Sequence, residues 1–254
     1  MASGKGSDQS VLTIAYRGAS QQAPENTVPA IEKALKIGAD VVALDVQSAK
    51  DGEPVVIADT RLDRTTDQTG RVIKLSVNEL QALDAGSWFK AEFKNTRIPT
   101  LEEAVKAVGS KARLLLNLPE MRGDSPLAAN ILKVLGARKK PVDDLLVFQD
   151  SESLKSFRDA APDFSYVLAL GDRIEGWVIL AKAEKLGLKI VRPHRSQVDA
   201  GLVRKAHEKN LQVFVHFTDE EEDMQDLLQL RVDGIVTGRP ERLKRVLEGQ
   251  GSEA

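Results

Sequence analysis

Cysteine is missing from this sequence of 254 residues. Its absence excludes a disulfide framework, thiolate metal sites and cysteine nucleophiles. Long apolar runs are missing too, since no stretch approaches the ~20 consecutive apolar residues that a membrane-spanning helix needs. Charge of one sign does not accumulate, because 36 basic residues face 38 acidic ones and no polybasic block occurs. We therefore expect neither a nucleic acid nor an anionic membrane as the partner.

The first ten residues, MASGKGSDQS, lack the apolar segment of a secretory signal peptide. We expect residues 1–10 to form a disordered or tag-like tail. The hydrophobic fraction of 42% is ample for a sizeable core, and an α/β barrel is the commonest single-domain use of about 250 residues. We therefore predict one domain over 11–248, with a short tail at 249–254, in a cytoplasmic protein.

Short apolar runs alternate with amphipathic segments along most of the chain. This alternation is typical of a parallel sheet covered on both faces, and with this many units it predicts a closed (β/α)8 TIM barrel. Nine strand candidates compete for eight places, so one of them, either half of the hairpin 41–57 or the last run, lies outside the barrel or extends another strand. The predicted strands are 11–15, 41–46, 54–58, 113–118, 145–148, 165–170, 189–191, 211–217 and 232–237. The predicted helices are 27–35, 77–83, 100–108, 126–135, 151–161, 174–186, 198–209 and 220–230.

Residues 59–99 break this rhythm and indicate an inserted segment after the third strand. Its aromatic residues are Trp88, Phe89 and Phe93. Two interpretations are open. The three rings form either an apolar lid beside the barrel mouth or a satellite core beneath a long loop.

Short motifs punctuate the stretch 11–59. They are Arg17-Gly18, Pro24-Glu25-Asn26-Thr27, Asp45 and Asp59. At this spacing they resemble the glycerophosphodiester phosphodiesterase family, whose members have His-Arg-Gly, Pro-Glu-Asn-Thr, Glu-x-Asp and His-Asp. Tyr16, Ala43 and Ala58 stand where the family has His, Glu and His. The connecting residues match the family, and the reactive residues do not.

The resemblance implies a TIM barrel in which two histidines act as general acid and base. It also implies a Mg²⁺ or Ca²⁺ ion held by carboxylates and an arginine, here Arg17, that holds the phosphate. In this chain Tyr16 cannot act as a base near neutral pH, and Ala43 and Ala58 have no reactive group. The sequence therefore does not support the inference from family to reaction.

The third carboxylate of the family lies in a motif like Asn-Ile-Glu-Ile-Lys, which corresponds to 117–122, NLPEMR, in this chain. If the two motifs are aligned at Asn117, Pro119 stands in the place of the metal-binding glutamate. If they are aligned at Glu120 and Arg122, Glu120 is that glutamate. We favour the first register, because a proline at the end of a barrel strand is otherwise hard to explain. We expect no cofactor, with Mg²⁺ or Ca²⁺ bound only if Asp45 and Glu120 still hold an ion.

Catalytic groups of TIM barrels lie at the carboxyl ends of the strands. Three further departures from the family fall there: His216 replaces a tryptophan, Gly238 an aspartate, and Phe148 a common serine. The predicted site residues are Tyr16, Arg17, Ala43, Asp45, Ala58, Pro119, Glu120, Phe148, Ala169, Arg192, His194, His216 and Gly238.

Compared with the family, the replaced residues remove charge and side-chain volume from the pocket. Such a pocket suits a neutral, partly aromatic small molecule. We predict that the pocket has been rebuilt, as in an engineered protein, to bind or transform such a ligand. His216 would then be the general base, with Asp45 or Tyr16 orienting it. Alternatively, His216 only fills the space of the tryptophan, and Asp45 only pairs with Arg17.

Two other functions stay open. One is a natural non-catalytic relative that binds a phosphate-containing ligand through Arg17. The other is residual metal-dependent hydrolysis through Asp45 and Glu120. Arg192 is either a ligand contact or a partner of one of these carboxylates, and we expect a monomer or a small homo-oligomer.

Overall fold

The computed structural model of the protein describes residues 11–138 and 143–251, so the predicted tail at 1–10 lies outside the described residues. In this part of the chain nine strands form one sheet: β1 (Leu12–Tyr16), β2 (Val41–Ser48), β3 (Pro54–Val56), β4 (Arg113–Asn117), β5 (Leu145–Phe148), β6 (Ser165–Leu168), β7 (Ile190–Val191), β8 (Gln212–His216) and β9 (Gly234–Thr237). Eight of them are parallel neighbours in the order β1, β9, β8, β7, β6, β5, β4, β2. Because β2 pairs again with β1, the ring closes. The predicted (β/α)8 TIM barrel is confirmed.

The surplus strand is β3. It runs antiparallel to β2, with Val56 opposite Val46, and has no place in the ring. Of the alternatives left open by the sequence, the second half of the hairpin is therefore the strand outside the barrel. The last run is a barrel strand, since β9 lies between β8 and β1.

Helices follow the barrel strands and cover the outside of the ring. They are α1 (Val28–Ile37), α2 (Val77–Gln81), α3 (Leu101–Val108), α4 (Pro126–Gly136), α5 (Ser151–Ala160), α6 (Gly176–Lys185), α7 (Ala200–Glu208), α8 (Glu221–Gln229) and α9 (Pro240–Gly251). The sequence did not predict α9, which continues past the predicted domain end at residue 248. No helix in the described part of the chain is long and apolar enough to cross a membrane.

The ends of α1 and α3 follow from their sequences. Thr100 caps α3, because its hydroxyl accepts a hydrogen bond from the Glu103 backbone while Glu103 returns one to Thr100. Thr27 occupies the cap position of α1, but its hydroxyl donates to the Pro24 carbonyl at 2.6 Å. Gly38 ends α1 at φ 85°, a left-handed conformation that glycine adopts without steric cost.

Side chains of the barrel strands alternate between two apolar layers. Ile14, Leu115 and Phe214 belong to a cluster inside the ring. Leu44 and Leu116 belong to a larger cluster between the ring and the helices. Because of this alternation, a strand residue two positions beyond an inward-facing one also faces the inside. The same rule decides which side chains at the strand ends face the mouth.

The inserted segment has a core of its own. Leu62, Val72, Leu80 and Ile98 pack with residues of β3 in a third apolar cluster. The three aromatic residues are not part of this cluster: Trp88, Phe89 and Phe93 stack edge to face in a chain, with ring centroids 5.7 and 5.6 Å apart. The segment therefore has an aliphatic core, and the alternative in which the three aromatic rings form that core is wrong.

Candidate functional site

The carboxyl ends of five barrel strands bring polar side chains together. Tyr16 ends β1, Asp45 lies in β2, Asn117 ends β4, Arg192 follows β7 and His216 ends β8. Each lies two positions beyond a residue of the inner cluster, so all five face the inside of the ring. We call this end of the barrel the mouth.

Asp45 lies at the centre of the polar contacts. Its Oδ2 is 2.6 Å from Arg17 Nε and accepts a hydrogen bond from Asn26 Nδ2 at 2.9 Å. Its Oδ1 accepts from Asn117 Nδ2 at 2.8 Å. The Asp45 backbone N–H donates to Asn26 Oδ1 at 3.0 Å, which fixes the strand end against the loop before α1. Both carboxylate oxygens are therefore held by donors of the protein itself.

Two arginines neutralise the remaining carboxylates of the mouth. Arg17 Nη1 donates to Glu25 at 2.8 Å, and Arg64 of the inserted segment donates to both oxygens of Glu25 at 2.8 and 2.6 Å. Arg64 also binds Asp59 through two bonds of 2.7 and 3.0 Å. The hydrogen bond from Arg64 lowers the pKa of Asp59, and the bonds to Glu25 and Asp59 raise the pKa of Arg64.

The backbone after β1 holds Arg17 in a strained turn. Arg17 has φ 55° and Gly18 φ 77°. A Cβ atom on Gly18 would lie 2.6 Å from the carbonyl carbon of Ala30. Glycine is therefore required for α1 to pack this closely. Burial lowers the pKa of Arg17, but Asp45 and Glu25 outweigh burial and leave the pKa raised.

Arg192 reaches across the barrel. It follows β7, yet its Nη1 donates to Asn117 Oδ1 at 2.8 Å on β4, with β6 and β5 in between. The residue is only 8% exposed. Burial lowers the pKa of Arg192 to about 10, although the charge of Asp45 opposes the shift. Asn117 thus lies between Arg192 and Asp45 and bonds to both.

Aromatic rings form one wall of the mouth. The Tyr16 and His216 rings meet edge to face at 5.4 Å, and Tyr16 lies 5.0 Å from Phe217. Burial, followed by the charge of Arg192, lowers the pKa of His216 to about 3, so its imidazole is neutral at physiological pH. Burial raises the pKa of Tyr16. Neither group has a pKa suited to general base catalysis near neutral pH.

His194 and Gly238 have structural roles at the rim. The Nδ1 atom of His194 accepts from the Ser196 backbone N–H at 3.3 Å and lies 2.8 Å from its hydroxyl, so the ring caps the 3-10 turn Arg195–Gln197. The Gly238 backbone N–H donates to Asp219 at 2.7 Å. A Cβ atom at position 238 would lie 2.8 Å from the Ser20 hydroxyl, so a side chain there requires Ser20 to move.

Two predicted pocket residues do not face the mouth. Phe148 belongs to the outer layer, where its ring packs 5.4 Å from Phe157 of α5. Its position at a strand end suggested the pocket. Side chains alternate along β5, however, so Val147 faces inward and Phe148 faces outward. Glu120 is exposed beyond the end of β4.

The remaining predicted residues are small. Ala43 and Ala169 belong to the inner cluster. Pro119 falls two positions beyond the inward-facing Asn117, and Leu118 between them lies in the outer layer, which agrees with the register that aligns Pro119 with the lost glutamate. Ala58 is half-buried, and its carbonyl accepts from Gln47 at 3.1 Å.

The donor set does not fit a divalent cation. Hard cations take several oxygen ligands, but the two oxygens of Asp45 are occupied by N–H donors, and Ala43 and Pro119 supply none. Within 11–138 and 143–251, no group of three or more His, Cys, Asp or Glu side chains is arranged to hold a metal ion. We therefore derive no chemical step through a metal.

Sequence reasoning missed several residues of the mouth. Asn26, Asn117 and Glu25 were read only as parts of motifs, although the alternation along β4 places Asn117 beside Asp45. Phe217 follows the strand end directly and was not considered. Arg64 belongs to the irregular inserted segment, where no periodicity indicates its partner.

Comparison with known proteins agrees with this geometry. The sequence profile of the Glycerophosphoryl diester phosphodiesterase family matches residues 17–242. A glycerophosphodiester phosphodiesterase of Caldanaerobacter subterraneus subspecies tengcongensis is 34% identical over 245 residues, which cover 94% of this chain and 99% of that protein. One of Bacillus subtilis is 30% identical over 255 residues, covering 94% of this chain and 87% of that protein.

Solved structures of phosphodiesterases are also similar to this chain. An Oleispira antarctica phosphodiesterase in complex with the product sn-glycerol-3-phosphate matches with a TM-score of 0.87 and 27% identity, covering 94% of this chain and 97% of that one. The glycerophosphodiester phosphodiesterase of Agrobacterium tumefaciens matches with a TM-score of 0.79 and 27% identity, covering 92% and 98%. The barrel, the motifs of its first two strands and these similarities lead to one conclusion: the chain belongs to the glycerophosphoryl diester phosphodiesterase family.

Proposed function

We propose that the mouth of this barrel binds a small, neutral, partly aromatic molecule and does not hydrolyse glycerophosphodiesters. The observation that carries the proposal is the pairing of the charges beside an aromatic wall. Asp45, Glu25 and Asp59 are all held by arginine side chains. The Arg17 guanidinium lies 4.6 Å from the centre of the Tyr16 ring, and this ring packs against Phe217.

The loss of hydrolysis follows from the residue chemistry. A phosphodiester needs a general base, a proton donor for the leaving alkoxide and positive charge around the phosphate. Tyr16, with its raised pKa, and Ala58 supply no base near neutral pH. His216, with a pKa of about 3, is too weak a base for the role expected of it from the sequence. We therefore assign His216 a binding role.

Neutrality of the ligand follows from the charge balance. Arg17, Arg64 and Arg192 bring three positive charges to the mouth, and Glu25, Asp45 and Asp59 bring three negative ones. A charged ligand would leave an unbalanced charge in this half-buried space, which costs free energy. A pocket rebuilt in this way is what we expect of an engineered protein. A monomer or a small homo-oligomer stays our expectation.

A second candidate function is binding of a phosphate-containing ligand through Arg17. It is favoured by one observation, the presence of arginine and glycine directly after β1, as in the family motif. The solved relative from Oleispira antarctica holds sn-glycerol-3-phosphate. Here, however, Arg17 already contacts two carboxylates, so a phosphate would have to compete with Asp45 and Glu25.

A binding comparison separates the two candidates. We would titrate the protein with acetophenone and with sn-glycerol 3-phosphate and follow the NMR signals of Tyr16 and Phe217. The proposal predicts saturable shifts with acetophenone and none with sn-glycerol 3-phosphate. Binding of sn-glycerol 3-phosphate that Arg17→Ala abolishes would establish the second candidate instead.

A further inference from the structure

Arg192 carries a buried donor that the protein leaves unused. Within the described residues its Nε is shielded from solvent and has no hydrogen-bond partner. The side chain does reach a partner with Nη1, which donates to Asn117 at 2.8 Å, so the guanidinium is held in place while one of its N–H groups stays free. A buried donor without a partner is unfavourable, and a ligand acceptor would satisfy it.

The other two arginines of the mouth differ from Arg192. Arg17 and Arg64 each contact two carboxylates directly. For Arg192 no ion pair is formed with any residue of 11–138 or 143–251, and the nearest acid, Asp45, is reached only through Asn117. Arg192 thus has a buried N–H without a partner and, unlike Arg17, no carboxylate in direct contact with it among the described residues.

A second unused polar atom lies on the aromatic wall. His216 Nδ1 is buried and has no hydrogen-bond partner among the described residues. The imidazole packs against Tyr16 at 5.4 Å and Phe217 at 6.0 Å between ring centroids. All three rings are half-buried, so the wall reaches both the solvent and the interior. An imidazole nitrogen donates or accepts according to its tautomer.

We propose that Arg192 determines the specificity of the mouth by donating from Nε to a neutral oxygen acceptor, a carbonyl, on a ligand whose ring packs against Tyr16 and Phe217. His216 Nδ1 makes the second polar contact. This inference rests on the proposed function, because it names the polar end of the same ligand. Arg192 Nε and His216 Nδ1 are both shielded from solvent, so a ligand reaches them only when side chains of the mouth move.

The charge balance selects a carbonyl over a carboxylate. The three arginines of the mouth already balance its three acidic residues, and Asn117 lies between Arg192 and Asp45. A carboxylate would add a fourth negative charge beside Asp45 in a space with little water. A carbonyl oxygen satisfies the free N–H without adding charge.

Three probes of similar size test the proposal on the intact chain. Acetophenone has a ring and a carbonyl, ethylbenzene has the same shape without the oxygen, and benzoate has a negative charge. We would measure the dissociation constant of each from the NMR shifts of Tyr16 and Phe217. The proposal predicts that acetophenone binds about 10-fold more tightly or better than both others, since a hydrogen bond to a charged donor contributes about 1.5–3 kcal/mol.

Variants assign the preference to Arg192. In Arg192→Met the ratio between acetophenone and ethylbenzene should fall to about one, within the same binding site. The matched control is Arg122→Met, an arginine whose side chain is 78% exposed and which, in the described part of the chain, forms its ion pair with Asp124. It should leave the ratio unchanged. If Arg192→Met does not fold, the ratio in the unaltered chain still decides.

The outcomes separate this inference from the function on which it rests. Equal affinities for acetophenone and ethylbenzene would overturn the role of Arg192 and leave an aromatic binding site in place. Tightest binding of benzoate would overturn the carbonyl in favour of an anion. No binding of any probe at Tyr16 and Phe217 would overturn both the inference and the proposed function.

Discussion

The guanidinium of Arg17 and the carboxylate of Asp45 form the central ion pair of the barrel mouth, with Nε 2.6 Å from Oδ2 and side chains only 20% and 13% exposed. Asn26 and Asn117 complete the shell around the carboxylate. Positive charge from the chain itself therefore neutralises Asp45. The same contacts explain why this site offers no ligand set for a divalent cation.

Replacing Asp45 by asparagine should destabilise the fold by about 3 kcal/mol. Breaking an ion pair that is largely buried leaves one charge uncompensated, and the new amide group would face the donors of Asn26 or Asn117. Chemical denaturation measures the change. The exposed pair of Arg122 and Asp124, with side chains 78% and 72% exposed, provides the control. Asp124→Asn should cost under about 0.5 kcal/mol, and equal costs for the two variants would contradict this account.

Gly18 and Gly38 provide a matched test of the turn that holds Arg17. Both have positive φ, at 77° and 85°, but a Cβ on Gly18 would lie 2.6 Å from the Ala30 backbone, whereas a Cβ on Gly38 would meet no described atom within 4 Å. Gly38→Ala should cost about 1–2 kcal/mol for the left-handed backbone alone. Gly18→Ala should cost about 1–3 kcal/mol more, for overpacking. Thermal or urea unfolding checks the difference, and a smaller effect at Gly18 would show that α1 can move away.

His216 should make the protein less stable in acid. Its pKa of about 3 in the folded protein lies below the ordinary value of 6.5. Between these values the unfolded chain binds more protons than the folded one, so stability falls as the pH falls from 6.5 towards 3, by up to about 1.4 kcal/mol per pH unit from this group.

Urea unfolding at pH 7 and pH 5 measures this effect. The unaltered protein should lose more stability between the two pH values than His216→Phe, which has no titrating group at this position. The ring protons of His216 should keep a constant NMR shift from pH 5 to pH 8. A titration midpoint inside that range would refute the burial argument.

Adding carboxylates should create the metal site that the chain lacks. Ala43 faces the inside of the barrel two positions before Asp45, and Pro119 lies two positions beyond Asn117. In the double variant Ala43→Glu, Pro119→Glu, three carboxylates converge on the mouth. Millimolar Ca²⁺ should raise its unfolding temperature by several degrees, about 2–4 °C for each kcal/mol of binding free energy. The unaltered chain should not respond, and a response there would mean that Asp45 already binds the ion.

The architecture could be predicted from the sequence because its signals are local and repeated. Buried strands and amphipathic helices such as β4 and α3 carry their periodicity and caps in adjacent residues. The surplus strand stayed open because antiparallel pairing of β3 with β2 depends on which neighbours compete for the edge of β2. Helix α9 was missed, although Pro240 at its first position is a common start signal.

The site was predicted less completely, for a physical reason. The pattern of strands predicts that Tyr16, Asp45, Arg192 and His216 lie at the mouth, but it does not predict the partners of their side chains. The bond between Arg192 and Asn117 joins residues 75 positions apart, and no periodicity encodes a contact across a barrel. The pKa of His216 likewise depends on burial by residues distant in the sequence. Its position at a strand end suggested a general base, but the sequence did not show the burial that lowers its pKa.

We propose that the barrel mouth does not hydrolyse glycerophosphodiesters, and an assay with glycerophosphocholine decides this. Purified protein would be incubated with the substrate in Mg²⁺, in Ca²⁺ and in a chelator, and release of glycerol 3-phosphate would be measured. We predict a rate equal to the background without protein in all three conditions. A rate above background that depends on Mg²⁺ or Ca²⁺ and disappears in Asp45→Asn would contradict the account.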